Sequence, residues 1–206
     1  MLPIFPLNTV LFPGGVLPLR VFETRYMDMV RDCLKNEQRF GVCLIQQGLE
    51  VARQPGEAAA PEPIGCTAEI TDWDMKDMGV LNIRTLGVER FHIRSREVQS
   101  NGLIMAEVEM MPLDPIVPIE SERMNCVKLL ASIITELEQQ FSEPQSQHKT
   151  FPINSPYEMG DAVWVSNRLC EILPIPLRAK QRLMELEGGA QRLEIVDTYL
   201  RQHKIV

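Results

Sequence analysis

Basic residues are in short supply in this chain. It carries 21 Lys and Arg against 28 Asp and Glu, a formal net charge of −7. The deficit runs through both halves: 11 against 16 in residues 1–119, and 10 against 12 in residues 120–206. Neither half offers the cation excess that a phosphate backbone attracts, which argues against a nucleic-acid partner. No apolar run approaches about 18 residues, so no membrane span is expected. The N-terminus lacks a basic region followed by an apolar one, so no secretory signal is expected. The five cysteines, Cys33, Cys43, Cys66, Cys126 and Cys170, form no CxxC pair for zinc. An odd number at wide spacing is not a disulfide framework either. Reduced core thiols in a cytoplasmic protein are the expectation. Also missing are a GxxxxGK[ST] phosphate loop, a GxSxG elbow and EF-hand spacing. No cofactor or metal is called for.

What is present suffices for a core. Hydrophobic residues make up 45% and charged residues 24% of 206, a normal globular balance. Leu2 to Leu7 and Val16 to Phe22 are apolar runs separated by the turn signal Phe12-Pro13-Gly14-Gly15. After Thr24, the apolar positions Tyr26, Met29, Val30, Cys33 and Leu34 fall on one helical face, and Asn36 is a plausible stop. Phe40 to Ile45 is apolar on both alternating faces, as a strand covered on two sides would be. Gly48 to Pro63, rich in Ala, Pro, Gly and Glu, reads as a mobile surface loop. Period-2 alternation then marks four segments: 64–70, 81–85, 90–94 and 104–110. Such segments at short spacing predict a closed or nearly closed antiparallel sheet, which also removes exposed edges.

The pattern changes after a proline-rich linker, residues 112–119, where neither helix nor central strand should form. Met124, Val127, Ala131, Ile134, Leu137 and Phe141 share a helical face. Ser142 to Asn154 reads as a loop. Ser155-Pro156-Tyr157-Glu158 fits a capping box that opens a helix carrying Met159, Val163, Leu169 and Ile172. Leu177 to Glu187 and Ala190 to His203 predict two more helices, the last with Leu193, Val196, Tyr199 and Leu200 inward. The class is therefore α+β: a barrel over 1–111 with one early helix, then a helical bundle over 120–206.

The opening Leu2-Pro3-Ile4-Phe5-Pro6-Leu7-Asn8-Thr9-Val10-Leu11-Phe12-Pro13-Gly14-Gly15-Val16-Leu17-Pro18-Leu19 resembles the start of the LON N-terminal domain. Arg20-Val21-Phe22-Glu23-Thr24-Arg25-Tyr26 is similar to the Phe-Glu-Pro-Arg-Tyr segment of its small stand-alone members, with Thr24 where proline is usual. Phe40-Gly41-Val42, Ile64-Gly65-Cys66-Thr67-Ala68-Glu69-Ile70 and Gly87-Val88-Glu89-Arg90-Phe91 resemble three later signatures of the same family. The resemblance implies a PUA-like β pseudo-barrel followed by a helical bundle. In full-length LON proteases this region precedes an ATP-driven unfoldase and a Ser-Lys peptidase, and it helps capture substrates and assemble the ring. Barrel and bundle fill these 206 residues, so neither ATPase nor peptidase chemistry is expected of them.

Residues that bear chemistry are scattered. His92 falls opposite Phe91 and Ile93 on its strand and is expected in solvent; His148 falls in a polar loop and His203 near a helix end. Asp72, Asp74 and Asp77 crowd a short turn, where solvation is the expectation over Ca²⁺ binding. Pro13, Gly14, Arg20, Phe22, Glu23, Arg25 and Tyr26 are the motif residues, read as structural, with Glu23 and Arg25, and Arg20 nearby, as a polar cluster fixing the strand-to-helix junction. Thr71 to Gly79 joins two strands, and its Trp73, Met75 and Met78 are large apolar residues among charges. Such side chains suit an adaptable binding surface. A crevice between barrel and bundle is the other candidate. The expected function is a non-catalytic interaction module that binds unfolded or degron-bearing polypeptides and works beside a separate protease. Apolar side chains and any free strand edge would supply the contacts. The alternatives are an RNA-binding PUA-like domain and a hydrolase with an unrecognised site. The sequence sets no oligomeric state.

Overall fold

A computed structural model describes residues 1–50, 58–76, 78–142 and 150–205. Asp77, His148, and parts of two predicted loops (51–57 and 143–149) lie outside the described residues. The chain divides into two compact units, Met1–Leu113 and Asp114–Val206.

The first unit holds β1 (Leu2–Leu7), β2 (Val16–Val21), α1 (Thr24–Asn36), β3 (Phe40–Gln47), β4 (Ala60–Pro61), β5 (Ile64–Asp74), β6 (Leu81–Val98) and β7 (Ile104–Met110). The strands run β1-β7-β6-β5-β3, and β1 pairs β3 to close the ring; β4 adds to β3 and β2 to β6. Closure comes through one parallel ladder, Ile4↔Gly41 to Leu7↔Leu44, within an otherwise antiparallel sheet. β1 changes partner at Ile4, which pairs both Gly41 of β3 and Ile104 of β7. Neither ladder runs the whole strand, which suits one that carries Pro3 and Pro6.

Three features depart from the sequence reading. The segments at 81–85 and 90–94 belong to one continuous β6. Its burial phase slips where both Arg90 and Phe91 are buried, which is why the alternation looked broken. Ala60 and Pro61, placed in the mobile loop, pair Gln47 and Ile45. β5 runs four residues beyond Ile70.

α1 packs Tyr26, Met29, Val30 and Cys33 into a core with Phe5, Val21, Phe40, Val42, Leu81 and Ile83. The Phe5 and Tyr26 rings stack at 3.9 Å. A second cluster on the other side of β3 joins Ile4, Cys43, Phe91, Ile104 and Ala106, so β3 is covered on both faces as expected. The glycines of the motif segments serve close approach. A Cβ at Gly41 or Gly65 would lie 2.6 or 2.7 Å from Phe91 Cζ, so the Phe91 ring occupies the space that both leave. Gly87 gives and takes backbone hydrogen bonds of 2.8 Å with Gly15 O and Gly14 N, and a Cβ there would sit 2.3 Å from Phe12 O. Segments far apart in sequence are thus locked to one another.

The second unit holds α2 (Met124–Phe141), α3 (Ala162–Ile172), α4 (Leu177–Glu185) and α5 (Gly189–Gln202). The capping box at Ser155 does not open α3. Asp161 does: its carboxylate accepts from Val163 N (3.1 Å) and Trp164 N (3.4 Å), and also from Val117 N (3.1 Å). An aspartate that satisfies three amides outcompetes a serine upstream. α3 is buried on more than the face predicted, taking in Ser166, Asn167 and Arg168. α2 is turned from its expected face, burying Cys126, Leu130 and Ile134, while Met124 stays 40% exposed. α5 buries Arg192 with Leu193, Val196 and Leu200. The Arg192 guanidinium donates to Leu183 O, Asn167 Oδ1, Leu186 O and Asp114 Oδ2 at 2.8–3.0 Å. No helix among the described residues is long and apolar enough to cross a membrane.

Candidate functional site

The distal β5–β6 hairpin positions Trp73, Met75 and Met78. Opposed residues of an antiparallel pair share a face of the sheet. Trp73 pairs Ile83, which pairs Leu19 of β2, so Trp73 lies in the row of a core residue. It is nonetheless 55% exposed, and Met75 is 53% and Met78 101% exposed. The cause is topological. β3 pairs β5 only as far as Ala68, so beyond that point β5 is an edge. The sequence places Trp73 past the strand end; the structure places it on the strand, half-covered.

Polar groups hold the backbone beneath these side chains. Asp74 Oδ1 accepts from Asn82 Nδ2 (3.0 Å) and Lys76 N (3.3 Å), and Lys76 Nζ stands 3.3 Å from Oδ2. The Asn82 hydrogen bond leads in holding the Asp74 carboxyl below its ordinary range. Asp72 Oδ1 accepts the Trp73 amide (2.9 Å). These acids are hairpin struts. Among the described residues no group of three or more His, Cys, Asp or Glu could hold a metal ion.

Arg20, Phe22, Glu23, Arg25 and Tyr26 gather at the β2–α1 junction, and Pro13 and Gly14 lie in the turn before β2. Gly14 takes φ 77° in the turn after Pro13, a conformation that favours glycine. Arg25 is buried; it donates to Gly102 O (3.0 Å) and Glu23 Oε2 (2.9 Å), and its guanidinium lies 4.6 Å from the Tyr26 ring centre. It thereby fastens the start of α1 to the β6–β7 turn. Burial raises the Tyr26 hydroxyl to about 12. Arg20, Phe22, Glu23 and Tyr26 line a depression of about 300 Å³, with Phe22 55% exposed at its rim. This hollow is invisible in the local sequence, because Phe5 and Leu7 of β1 complete it from a distant segment.

Among the described residues, groups suited to catalysis are not assembled. His92 stands between Ile64 and Glu109 in the ladder, half-buried rather than solvated, and its Nδ1 is buried with no partner among the described residues. His203 Nδ1 lies 2.8 Å from Tyr199 O, and its ring lies against the Tyr199 ring. All five cysteines are free and buried. Burial raises the Cys33 thiol to about 11 and those of Cys126 and Cys170 to about 12, and pushes Cys43 up as well. Thiols held protonated in this way are poor nucleophiles.

Comparison with known proteins gives the frame for these observations. Residues 1–202 match the family model described as the ATP-dependent protease La (LON) substrate-binding domain. The chain is 27% identical over 202 residues to a Lon protease of Anaeromyxobacter dehalogenans, covering 95% of this chain and 22% of that protein. It is 24% identical over 159 residues to protein cereblon of Xenopus tropicalis, covering 75% and 30%. It thus spans less than a third of the length of these relatives. A crystal structure of a Lon N-terminal domain protein from Xanthomonas campestris superposes with a TM-score of 0.73 at 31% identity, covering 95% of each chain. The N-terminal domain of a Mycobacterium avium complex Lon protease shares the fold, with a TM-score of 0.60 at 14% identity over 98% of each. These likenesses bear out the expected PUA-like barrel and helical remainder.

Proposed function

The chain belongs to the LON substrate-binding domain family, and on that premise we propose that it captures unfolded or degron-bearing polypeptides through the β5–β6 hairpin. The observation that carries the reading is the exposure of Trp73, Met75 and Met78 on a pinned backbone. A backbone pinned beneath exposed apolar side chains leaves less of the chain to order on binding. Methionine adapts to varied partners, and tryptophan is a common anchor.

Side chains, rather than strand addition, are the mode of contact. Among the described strands β2 pairs β6 alone, and its centre holds Pro18, which has no amide to offer. On the opposite edge the Trp73 amide is taken by Asp72. Proline and local side-chain bonds at an edge discourage an incoming strand. Clients so captured pass to a separate protease, and these 206 residues neither hydrolyse ATP nor cleave peptide bonds. Five buried free thiols suit a reducing, cytoplasmic setting.

Fluorescence anisotropy of a labelled, reduced and alkylated polypeptide tests the reading. The native chain should bind it, and Trp73→Ala with Met75→Ala should weaken binding by roughly 30-fold or more, the scale of an interface hot spot. Equal binding by both proteins sinks the hairpin as the capture surface.

A further inference from the structure

Beside the hairpin, within the first unit, lies a groove of about 850 Å³, within the range of a ligand site. Leu34, Ile70 and Met110 supply apolar wall. Its charged side chains are unbalanced. Arg39 stands 3.3 Å from Glu69 and 3.0 Å from Glu89, so one guanidinium serves two carboxylates. Glu37 adds a third, exposed at the C-terminal cap of α1. Cys33 and Gln38 of that helix end also line the groove. The end of α1 therefore adds the negative pole of its dipole. Lys35 of the same turn does not line it.

We propose that this groove selects client segments in which apolar residues are interleaved with Lys or Arg. The inference rests on the client-capture reading and assigns it a substrate class. Charge complementarity names the occupant: three carboxylates and a helix C-terminus outweigh the shared Arg39 guanidinium and the Met1 amino group that also lines the groove. Geometry joins the groove to the hairpin. Ile70 pairs Thr85 and Trp73 pairs Ile83, two positions apart on β6, so Ile70 and Trp73 share a sheet face. They are separated by about 10 Å along the strand. A client lying along β5 with an apolar side chain on Trp73 therefore reaches the groove that Ile70 lines within a few residues. The same acids repel an acidic segment, so the groove also discriminates.

Four labelled 12-residue peptides test this on the whole chain: apolar-neutral, apolar with two Lys three residues from an aromatic, the same with two Glu, and two Lys without apolar residues. The Lys-apolar peptide should bind roughly fivefold tighter than the neutral one, as two partly exposed ion pairs allow. The Glu peptide should bind more weakly than either. Glu37→Gln with Glu69→Gln should reduce the Lys preference to less than about twofold. Glu37→Gln alone, which spares the Arg39 pairs, should give an intermediate loss. Raising salt to about 0.5 M should do the same without mutation. Equal affinity for Lys and Glu peptides overturns the proposal, and so does full binding of the Lys peptide that lacks apolar residues. Loss of neutral binding in Trp73→Ala tests the capture reading separately. Failure of that arm alone, with Lys preference retained, would discard the hairpin and keep the groove's charge selection.

Discussion

At Gly87 the reason for a motif residue is visible in one distance. A methyl group there would meet Phe12 O at 2.3 Å, and the contact is backbone that cannot swing aside. Gly87→Ala should cost about 1–3 kcal/mol, the usual range for forced overpacking, read as a lowered melting temperature. Trp73→Ala should behave oppositely. With Trp73 55% exposed, loss of its ring should cost under about 1 kcal/mol of stability, against about 3–5 kcal/mol for a buried aromatic. A large melting drop would show that Trp73 belongs to the core. The thiols give a third residue-scale test. All five are buried, so the folded chain should resist alkylation at pH 8, and mass spectrometry should find five adducts only after unfolding. The raised values of Cys33, Cys126 and Cys170 also set an alkaline limb. Above pH 9 an unfolded chain sheds thiol protons that the folded chain keeps to about 11 or 12. Stability should therefore fall as pH rises through that window and be fully present below it.

Among the elements, α3 offers the sharpest contrast. Two start signals compete, the Ser155-to-Glu158 pattern and Asp161. Asp161→Ala should cost about 1–2 kcal/mol, as loss of a helix cap does, while Ser155→Ala should change stability by less than about 0.5 kcal/mol. Thermal melts of the two variants decide it. The sequence pattern favoured the wrong signal because Trp164, three residues after Asp161, is not the Glu or Gln of a reciprocal box. Strands were easier to read than their joins. β1, α1, β3 and β7 sit where the apolar pattern puts them, because each is buried in a plain way, α1 on one face and β3 on both. β6 was read as two pieces because its burial phase slips near Arg90. Arg192 was missed for a different reason. It stands one turn before Val196 on the inward stripe, but a guanidinium reads as solvated unless its partners, Asn167 and Asp114, are known from the fold.

For the whole molecule, the two units make a testable division. Residues 1–113 should give a β-rich circular dichroism spectrum and residues 114–206 a helical one; a helix-dominated first fragment would contradict the barrel. The cut matters. Asp114 binds Arg192 and the Gly188 amide, and Val117 binds Asp161 and Ala162. A fragment starting at residue 120 should melt well below one starting at 114. The candidate site was only partly legible from sequence. Trp73, Met75 and Met78 stood out by composition. The acidic groove did not, because Glu37, Glu69 and Glu89 come from separate elements that only the closed ring brings together. The central claim, that clients seat on the hairpin, can be observed at Trp73 itself. The chain has two tryptophans, so Trp164→Phe leaves Trp73 as the sole reporter. Titration with a tryptophan-free unfolded polypeptide should shift its emission to the blue, saturably, and shield it from acrylamide quenching. Client binding seen by anisotropy with no change in Trp73 emission or quenching would contradict the account.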